Sequence, residues 1–255
     1  MTEPYFITPP NFASDRKVHV VVVGAGGNGS QMLGHIGRLD RAIRAQLGSG
    51  LEVTVFDPDS VSEANVGRQV FGVHDIGINK AIIMVHRINA LYDLDWRAEP
   101  TAFSPDRYHF ASFDLLVGCV DSGRFRHALG TFWHSRHSDS LWLDLGNGAD
   151  SGQVVLGHLG MAGSRSELRL PNVYDLYGDQ LLAGDQDDLP SCSLAEALQR
   201  QRWSVNPVTV CAALPILEGL FLRGGLHHHG ALIRTDPLSI VPLLVDPEQW
   251  SGMGL

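Results

Sequence analysis

The most constraining feature of this chain is a run of five valines and one histidine that ends in a glycine-rich turn. Val18–Val23 is a β-branched run, which is typical of a strand buried on both faces. Gly24–Gly29 follows at once and fits the pattern G-x-G-x-x-G, with a helical pattern after it. Such glycines let the backbone turn tightly beside a phosphate, and the helix N-terminus adds free N–H groups. The segment predicts a Rossmann-type nucleotide-binding fold that begins at Val18.

The rest of the first half alternates between apolar strand patterns and amphipathic helix patterns. The order β-α-β-α-β-α-β predicts an α/β fold with a doubly wound, mostly parallel sheet. Two later strands, 153–159 and 231–244, are expected to pair and so to add antiparallel strands at the C-terminal end. The predicted helices cover 27–47, 78–91, 123–137, 193–201 and 208–223, and the other predicted strands cover 51–56, 95–101, 113–120 and 141–145.

Proline and loop content suggest the domain boundaries. Residues 1–17 are interpreted as an N-terminal arm and residues 18–255 as a single domain. Residues 160–192 form a long loop-rich segment, and a loop of that length inside a compact domain is usually functional.

Composition excludes several classes of protein. The net charge is -9 with neutral histidines, which argues against nucleic acid as a partner. No apolar run is long enough for a membrane span, and the N-terminus lacks the pattern of a signal peptide, so we expect a cytoplasmic protein with no membrane partner. The three cysteines form no CxxC pair, which argues against a structural zinc site.

The residues after the second predicted strand distinguish kinds of nucleotide site. Asp57 ends that strand, where a carboxylate can accept hydrogen bonds from ribose hydroxyls in any Rossmann-type enzyme. Arg68 and Lys80 follow, and two cations beside a glycine loop suit a triphosphate better than a dinucleotide. Asp121 follows a later strand and is a candidate ligand for Mg²⁺, which prefers oxygen ligands and substrate phosphates.

These motifs together resemble the superfamily of ThiF, MoeB and ubiquitin-activating enzymes, with the match strongest over 18–159. The chain is also similar to the ThiF-type component of plasmid-borne PRTRC systems, in which predicted ubiquitin-like, conjugating and JAB-type proteins are encoded together. The matching segments, in the order and close to the spacing of the family, are Gly24-Ala25-Gly26-Gly27-Asn28-Gly29-Ser30, Asp57-Pro58-Asp59-Ser60-Val61, Asn65-Val66-Gly67-Arg68-Gln69, Asp75-Ile76-Gly77 with Lys80-Ala81, and Cys119-Val120-Asp121.

The resemblance implies a single ThiF-type adenylation domain that uses ATP and Mg²⁺. Its substrate would be the C-terminal carboxylate of a ubiquitin-like (β-grasp) protein, with a conjugating enzyme as a further partner and a homodimer as the assembly. Asp121 is then the Mg²⁺ ligand, and Arg68 and Lys80 stabilise the transition state. The implied nucleotide-binding residues are Gly24, Gly26, Gly27, Gly29, Asp57, Asp59, Asn65, Arg68, Gln69 and Lys80.

A fourth catalytic candidate is Cys192. The segment 189–194 resembles the Pro-x-Cys-Thr-Ile/Leu segment of eukaryotic ubiquitin-like activating enzymes, where the cysteine takes the acyl group as a thioester. Cys192 also stands at a predicted loop-to-helix junction, where a helix N-terminus lowers a thiol pKa. The alternative interpretation is an inert thiol; Cys119 and Cys211, which lie in apolar patterns, are interpreted as packing residues.

Other functions stay open at this stage. One alternative is an enzyme that stops at the adenylate and serves sulfur transfer or a small substrate. A second is a nicotinamide-dependent oxidoreductase, and a third is an inactive scaffold. Thioester formation separates the first alternative, and preference for NAD over ATP separates the second. Many relatives also take an arginine from the partner subunit, for which Arg16 is the nearest candidate.

Overall fold

The protein is built around one eight-stranded mixed sheet, seen in a computed structural model that describes residues 5–107, 113–162, 168–183 and 194–255. The strands are β1 (Phe6–Ile7), β2 (Val18–Val23), β3 (Leu51–Phe56), β4 (Arg97–Glu99), β5 (Leu115–Gly118), β6 (His137–Ser138), β7 (Leu141–Asn147), β8 (Ser151–His158), β9 (Met161–Ala162), β10 (Gly225–Leu226), β11 (His228–Thr235) and β12 (Leu238–Leu244). The helices are α1 (Gly27–Leu47), α2 (Lys80–Tyr92), α3 (Gly123–Trp133), α4 (Val173–Tyr177), α5 (Leu194–Arg200), α6 (Val205–Glu218) and α7 (Pro247–Gly252). Short 3-10 helices cover Pro10–Phe12, Glu63–Asn65, Val73–Asp75, Pro105–Arg107 and Gly178–Leu182, and a π-helix covers Gly219–Arg223.

The parallel half of the sheet has the doubly wound order that the sequence predicts. The strands run β12-β11-β8-β7-β5-β2-β3-β4, and β7, β5, β2, β3 and β4 are mutually parallel. β2 pairs with β3 on one side and with β5 on the other. The chain therefore reverses its direction of winding at β2, which puts a crevice outside the carboxyl end of this strand.

The antiparallel half confirms the predicted pairing between the later strands. β8 is antiparallel to both β7 and β11, with Gly230 opposite Val155. The predicted strand 231–244 is a hairpin of two strands, β11 and β12, because the chain turns at Asp236–Pro237. Pro has no N–H for a ladder and suits a turn.

Both faces of the parallel half of the sheet are covered, as a parallel sheet requires. One buried cluster joins Val20 and Val22 to α1, α2 and α6. A second cluster joins Val21 and Val23 to α3 and α4. The valine run of β2 thus contributes alternate side chains to two cores.

The start of helix α2 and the end of helix α3 differ from the sequence prediction. The predicted helix 78–91 begins at Lys80, because the Asn79 side chain accepts a hydrogen bond from the Ile82 N–H and caps it. The predicted helix 123–137 ends at Trp133, and the chain then enters the short strand β6.

The stretch Val205–Arg223 is long and apolar enough, by length and composition, to cross a membrane. However, 56% of it is buried inside the protein. It packs against α1 and the strands β7, β8 and β11, so its apolar side chains form part of the core.

Candidate active site

The glycine loop lies at the carboxyl end of β2 and makes a turn that tolerates no side chain at two positions. A Cβ on Gly29 would lie 1.9 Å from the Gly24 carbonyl oxygen. Gly24 has a φ of +91°, and a Cβ there would lie 3.0 Å from the Cys119 backbone. The first and last glycines therefore fix the turn from β2 into α1, as the motif predicts.

The middle of the loop presents the N-terminus of α1. Gly26 is the residue before the helix, and no side chain among the described residues caps it. The amides of the first turn can therefore bind an anion. A Cβ on Gly27 would lie 2.5 Å from Asn206 Nδ2, so α6 also approaches this point.

Asp57 connects β3 to the glycine loop. Its carboxylate accepts hydrogen bonds from the Ala25 N–H at 2.6 Å and from the Asp59 N–H at 2.9 Å. Burial raises the pKa of Asp57, and the two N–H donors and nearby Lys80 lower it by less. Each carboxylate oxygen keeps an acceptor site for another donor, such as a ribose hydroxyl.

Lys80 lies beside the carboxylates of Asp57 and Asp59. Its ammonium is 2.9 Å from Asp59 Oδ2, and its side chain is 10% exposed. The Asn79 amide ties the turn together by donating to the carbonyls of Asp57 and Asp59. Asp57, Asp59 and Lys80 are therefore brought together, as the sequence predicts.

Arg68 and Gln69 complete the polar side of the site. Asn65 orders the turn before them by accepting the Ser62 N–H with its side chain and the Gln69 N–H with its carbonyl. Gln69 lies against the glycine loop, since a Cβ on Gly26 would be 3.8 Å from its Nε2. Arg68 Nε and Gln69 Oε1 are buried without a hydrogen-bond partner among the residues that the structure describes. Unpaired buried polar atoms are costly, so these two atoms mark a place for a polar ligand.

Asp121 lies further along the same edge, beyond β5. It borders a cavity of about 440 Å³ that extends between the ends of β5, β7 and β8. The cavity wall includes Asp121, Arg126, Asn147, Gln153 and Leu232. Within the described ranges, no group of three or more His, Cys, Asp and Glu side chains is placed to hold a metal by itself. A Mg²⁺ at Asp121 would therefore depend on phosphate oxygens for its other ligands.

Arg126 was not predicted as a site residue, although it lines this cavity. Its Nε donates to both oxygens of Asp144 at 2.8 Å, and its Nη2 donates to the carbonyls of Val120 and Leu145. The pair is buried and joins the ends of β5 and β7. Arg126 thus fixes the backbone that carries Asp121.

A group of amide side chains was also missed, because no sequence motif marks it. The Asn147 amide donates to the side-chain oxygens of Asn28 and Asn206. Gln201 accepts a hydrogen bond from Arg68 Nη1 at 3.1 Å. These residues link the glycine loop and Arg68 to the second half of the chain.

The cysteines have different positions. Cys192 lies outside the described residues. Cys119 is buried at the end of β5, and burial and the Asp144 carboxylate raise the pKa of its thiol, so it fits the predicted packing role. Cys211 is exposed on α6, unlike the interior position that its apolar surroundings suggested.

Arg16 lies at the opposite edge of the sheet from this site. Its guanidinium donates to the Asp114 carboxylate at 2.5 and 2.9 Å. Within this chain it is therefore not brought to the glycine loop.

The sheet order and the helices on its faces define a Rossmann-type α/β fold. Residues 6–200 match the model of the ThiF family, and the chain belongs to that family. The family is one of E1-like adenylyltransferases, whose members generally bind ATP.

A solved structure supports the fold. The crystal structure of a selenomethionine form of PaaA superposes with a TM-score of 0.57 and is 13% identical. The match covers 89% of this chain, and the chain spans 64% of the length of that protein. No curated protein matches the chain.

Proposed function

We propose that this protein uses ATP to adenylate the C-terminal carboxylate of a ubiquitin-like protein. A carboxylate oxygen of the substrate attacks the α-phosphorus of ATP and forms a new P–O bond. The bond from that phosphorus to the bridging oxygen breaks, and pyrophosphate leaves with the electron pair. The observation that carries the proposal is the meeting of the glycine loop, Asp57, Lys80 and the partly unpaired Arg68 at one edge of the sheet.

The residues present fit ATP. The amides at the start of α1 suit a phosphate, and Asp57 suits the ribose hydroxyls. Arg68 and Lys80 would contact the triphosphate, where their charges offset the negative charge on departing pyrophosphate. Asn65 and Gln69 would contribute polar contacts beside them. The buried, unpaired Arg68 Nε and Gln69 Oε1 support this assignment, since a bound nucleotide would satisfy them.

Asp121 is the proposed ligand for Mg²⁺. When bound, Mg²⁺ neutralises phosphate charge and polarises the reacting phosphorus. Arg126 supports the role of Asp121, because it holds the Val120 carbonyl next to it.

The cavity beyond Asp121 is the proposed entry for the substrate tail. Four of the described residues that line it are glycines, Gly123, Gly146, Gly148 and Gly152, and they leave room for an extended peptide. A C-terminal carboxylate held there would approach the phosphates from the side of Asp121. The family membership favours a ubiquitin-like or sulfur-carrier protein as the substrate.

In a second step, the Cys192 thiolate would attack the acyl carbon of the adenylate. A thioester forms as the acyl–phosphate bond breaks and AMP leaves. The proposal extends to a cytoplasmic homodimer that passes its product to a conjugating enzyme, as in the PRTRC-type systems that the sequence resembles.

The test is ATP–pyrophosphate exchange with candidate ubiquitin-like partners, using wild type and Cys192→Ala. We expect exchange in both proteins and a thiol-sensitive adduct only in wild type. An adduct that persists in Cys192→Ala would assign the thioester to another residue. Exchange without any adduct would favour the adenylate-only function, and preference for NAD over ATP would refute both.

A further inference from the structure

Gln201 links three separate parts of the candidate site. Its Oε1 accepts hydrogen bonds from Arg68 Nη1 at 3.1 Å and from Asn206 Nδ2 at 3.4 Å. Its Nε2 donates to the Gly148 carbonyl at 3.2 Å. Because a guanidinium only donates hydrogen bonds, the oxygen of this amide has to face Arg68. The side chain therefore has one favourable orientation.

The segment that carries Gln201 is attached on both sides of the site. The Trp203 indole N–H donates to the Gly67 carbonyl at 3.1 Å, one residue before Arg68. The Arg202 N–H donates to the Ala149 carbonyl at 2.8 Å, one residue after Gly148. Trp203 is 61% exposed, so this contact does not serve to bury its ring. Residues 201–203 thus connect the loop of Arg68 to the turn after β7.

The contact with Gln201 leaves the charge of Arg68 available. Arg126, by comparison, forms an ion pair with the Asp144 carboxylate, which offsets its positive charge. Arg68 has a neutral amide as its acceptor, and its Nε is buried without a partner within the described ranges. An amide can hold a guanidinium in one orientation without neutralising it.

We propose that Gln201 is a positioning residue for Arg68 in the adenylation reaction. It holds the guanidinium toward the glycine loop before nucleotide binds, so that less ordering is needed in the transition state. This inference rests on the proposed function, in which Arg68 contacts the triphosphate. A residue from the second half of the chain would then act directly on Arg68.

The test compares Gln201→Ala and Gln201→Glu in the full-length chain, with the exposed Gln249→Glu as the control for an added charge. Gln201→Ala loosens Arg68, so we expect kcat for pyrophosphate exchange to fall about ten-fold while the KM for ATP changes little. Gln201→Glu places a carboxylate against Arg68, which competes with the triphosphate. We expect it to raise the KM for ATP about ten-fold, and added salt to reduce that effect.

If Gln201 only stabilised the fold, Gln201→Ala would not lower kcat selectively and Gln201→Glu would not raise the KM for ATP selectively. Equal losses in both variants, together with a lower free energy of unfolding, would overturn the positioning role. Wild-type kinetics in both variants would also overturn it.

ATP binding by calorimetry separates this inference from the proposed function. Gln201→Glu should weaken ATP binding when Arg68 is present but not in an Arg68→Ala background. If Gln201→Glu weakens ATP binding only when Arg68 is present but the wild-type protein shows no exchange, the adenylation proposal fails. The positioning of Arg68 by Gln201 is then supported for nucleotide binding. If wild type exchanges but the coupling is absent, the role of Gln201 fails and the adenylation proposal stands.

Discussion

Two carboxylates on opposite edges of the same sheet have opposite surroundings. Asp114 precedes β5, and its oxygens accept four hydrogen bonds, two from Arg16 and one each from Asn11 and the His19 N–H. Asp57 follows β3, and among the described residues its oxygens accept hydrogen bonds from two backbone N–H groups and from no cationic side chain. Burial would raise the pKa of both groups. Arg16 and the other donors outweigh burial at Asp114 and lower its pKa, whereas burial prevails at Asp57 and its pKa is raised.

Arg16 and Arg68 differ in the same way as the two carboxylates. Arg16 is paired with a carboxylate, while Arg68 has an amide as its acceptor and a buried Nε that has no partner in the part of the chain that the structure describes. At one edge, opposite charges meet and stabilise the fold. At the other, Asp57 and Arg68 bond to backbone N–H groups and to an amide and not to each other within the described ranges, so each retains capacity for a ligand. Unsatisfied polar groups cost stability, so their presence at one edge points to function there.

The largest expected effect is on turnover. Arg68→Ala should lower the rate of ATP–pyrophosphate exchange about 10²- to 10³-fold, the usual cost of removing a preorganised charge-stabilising donor. The free energy of unfolding should change by less than about 1 kcal/mol, since the Arg68 side chain donates a single hydrogen bond to the part of the chain that the structure describes. Both quantities can be measured on the same preparations.

Arg16→Ala is the matched control for that experiment. If the two edges differ as described, the exchange rate per folded molecule stays at the wild-type value. Loss of exchange in Arg16→Ala would contradict the comparison and would indicate that a partner subunit's site uses this arginine.

The second effect is on stability. Asp114→Ala leaves the buried Asn11 amide and the His19 N–H without their acceptor, so we expect a loss of about 2 to 3 kcal/mol in urea unfolding. Asp59→Ala is the counterpart at the active edge. Because the side chain of Asp59 is 66% exposed, its ion pair with Lys80 should contribute less than about 1 kcal/mol. A larger loss from Asp59→Ala than from Asp114→Ala would reverse the comparison.

The smallest effect is a difference in pH dependence. The lowered pKa of Asp114 means that its carboxylate stabilises the fold above about pH 4 and that this stabilisation is lost as the pH falls through the folded-state pKa. The raised pKa of Asp57 means the reverse: its carboxylate costs stability, and the cost grows as the pH rises through the folded-state pKa. Asp114→Asn should therefore lose most relative to wild type near pH 7, while Asp57→Asn should gain relative to wild type over the same range. Urea unfolding between about pH 2 and about pH 7 would measure both differences, since the Asp114 contribution is lost below about pH 4. Parallel slopes would refute the contrast.

The sequence was sufficient for the parallel half of the fold and for the grouping of several candidate site residues at one edge of the sheet, while their nucleotide-binding roles stay predictions. The valine run, the glycine loop and the residues from Asp57 to Lys80 lie close together along the chain, so local patterns report them directly. Their meeting at one edge follows from the rule that parallel strands carry sites at their carboxyl ends. The pairing of β8 with β11 was also predicted, since both strands show apolar patterns near the end of the chain.

The tertiary structure alone decided which charges are paired and which are free. Arg68 and Gln201 are 133 residues apart, and Asn28 and Asn147 are 119 apart, so no local pattern joins them. Arg16, Arg68 and Arg126 are equivalent in the sequence as single cations. Only packing gives Arg16 and Arg126 a carboxylate and gives Arg68 a neutral amide, because hydrogen bonds depend on distances of about 3 Å that the order of residues does not contain.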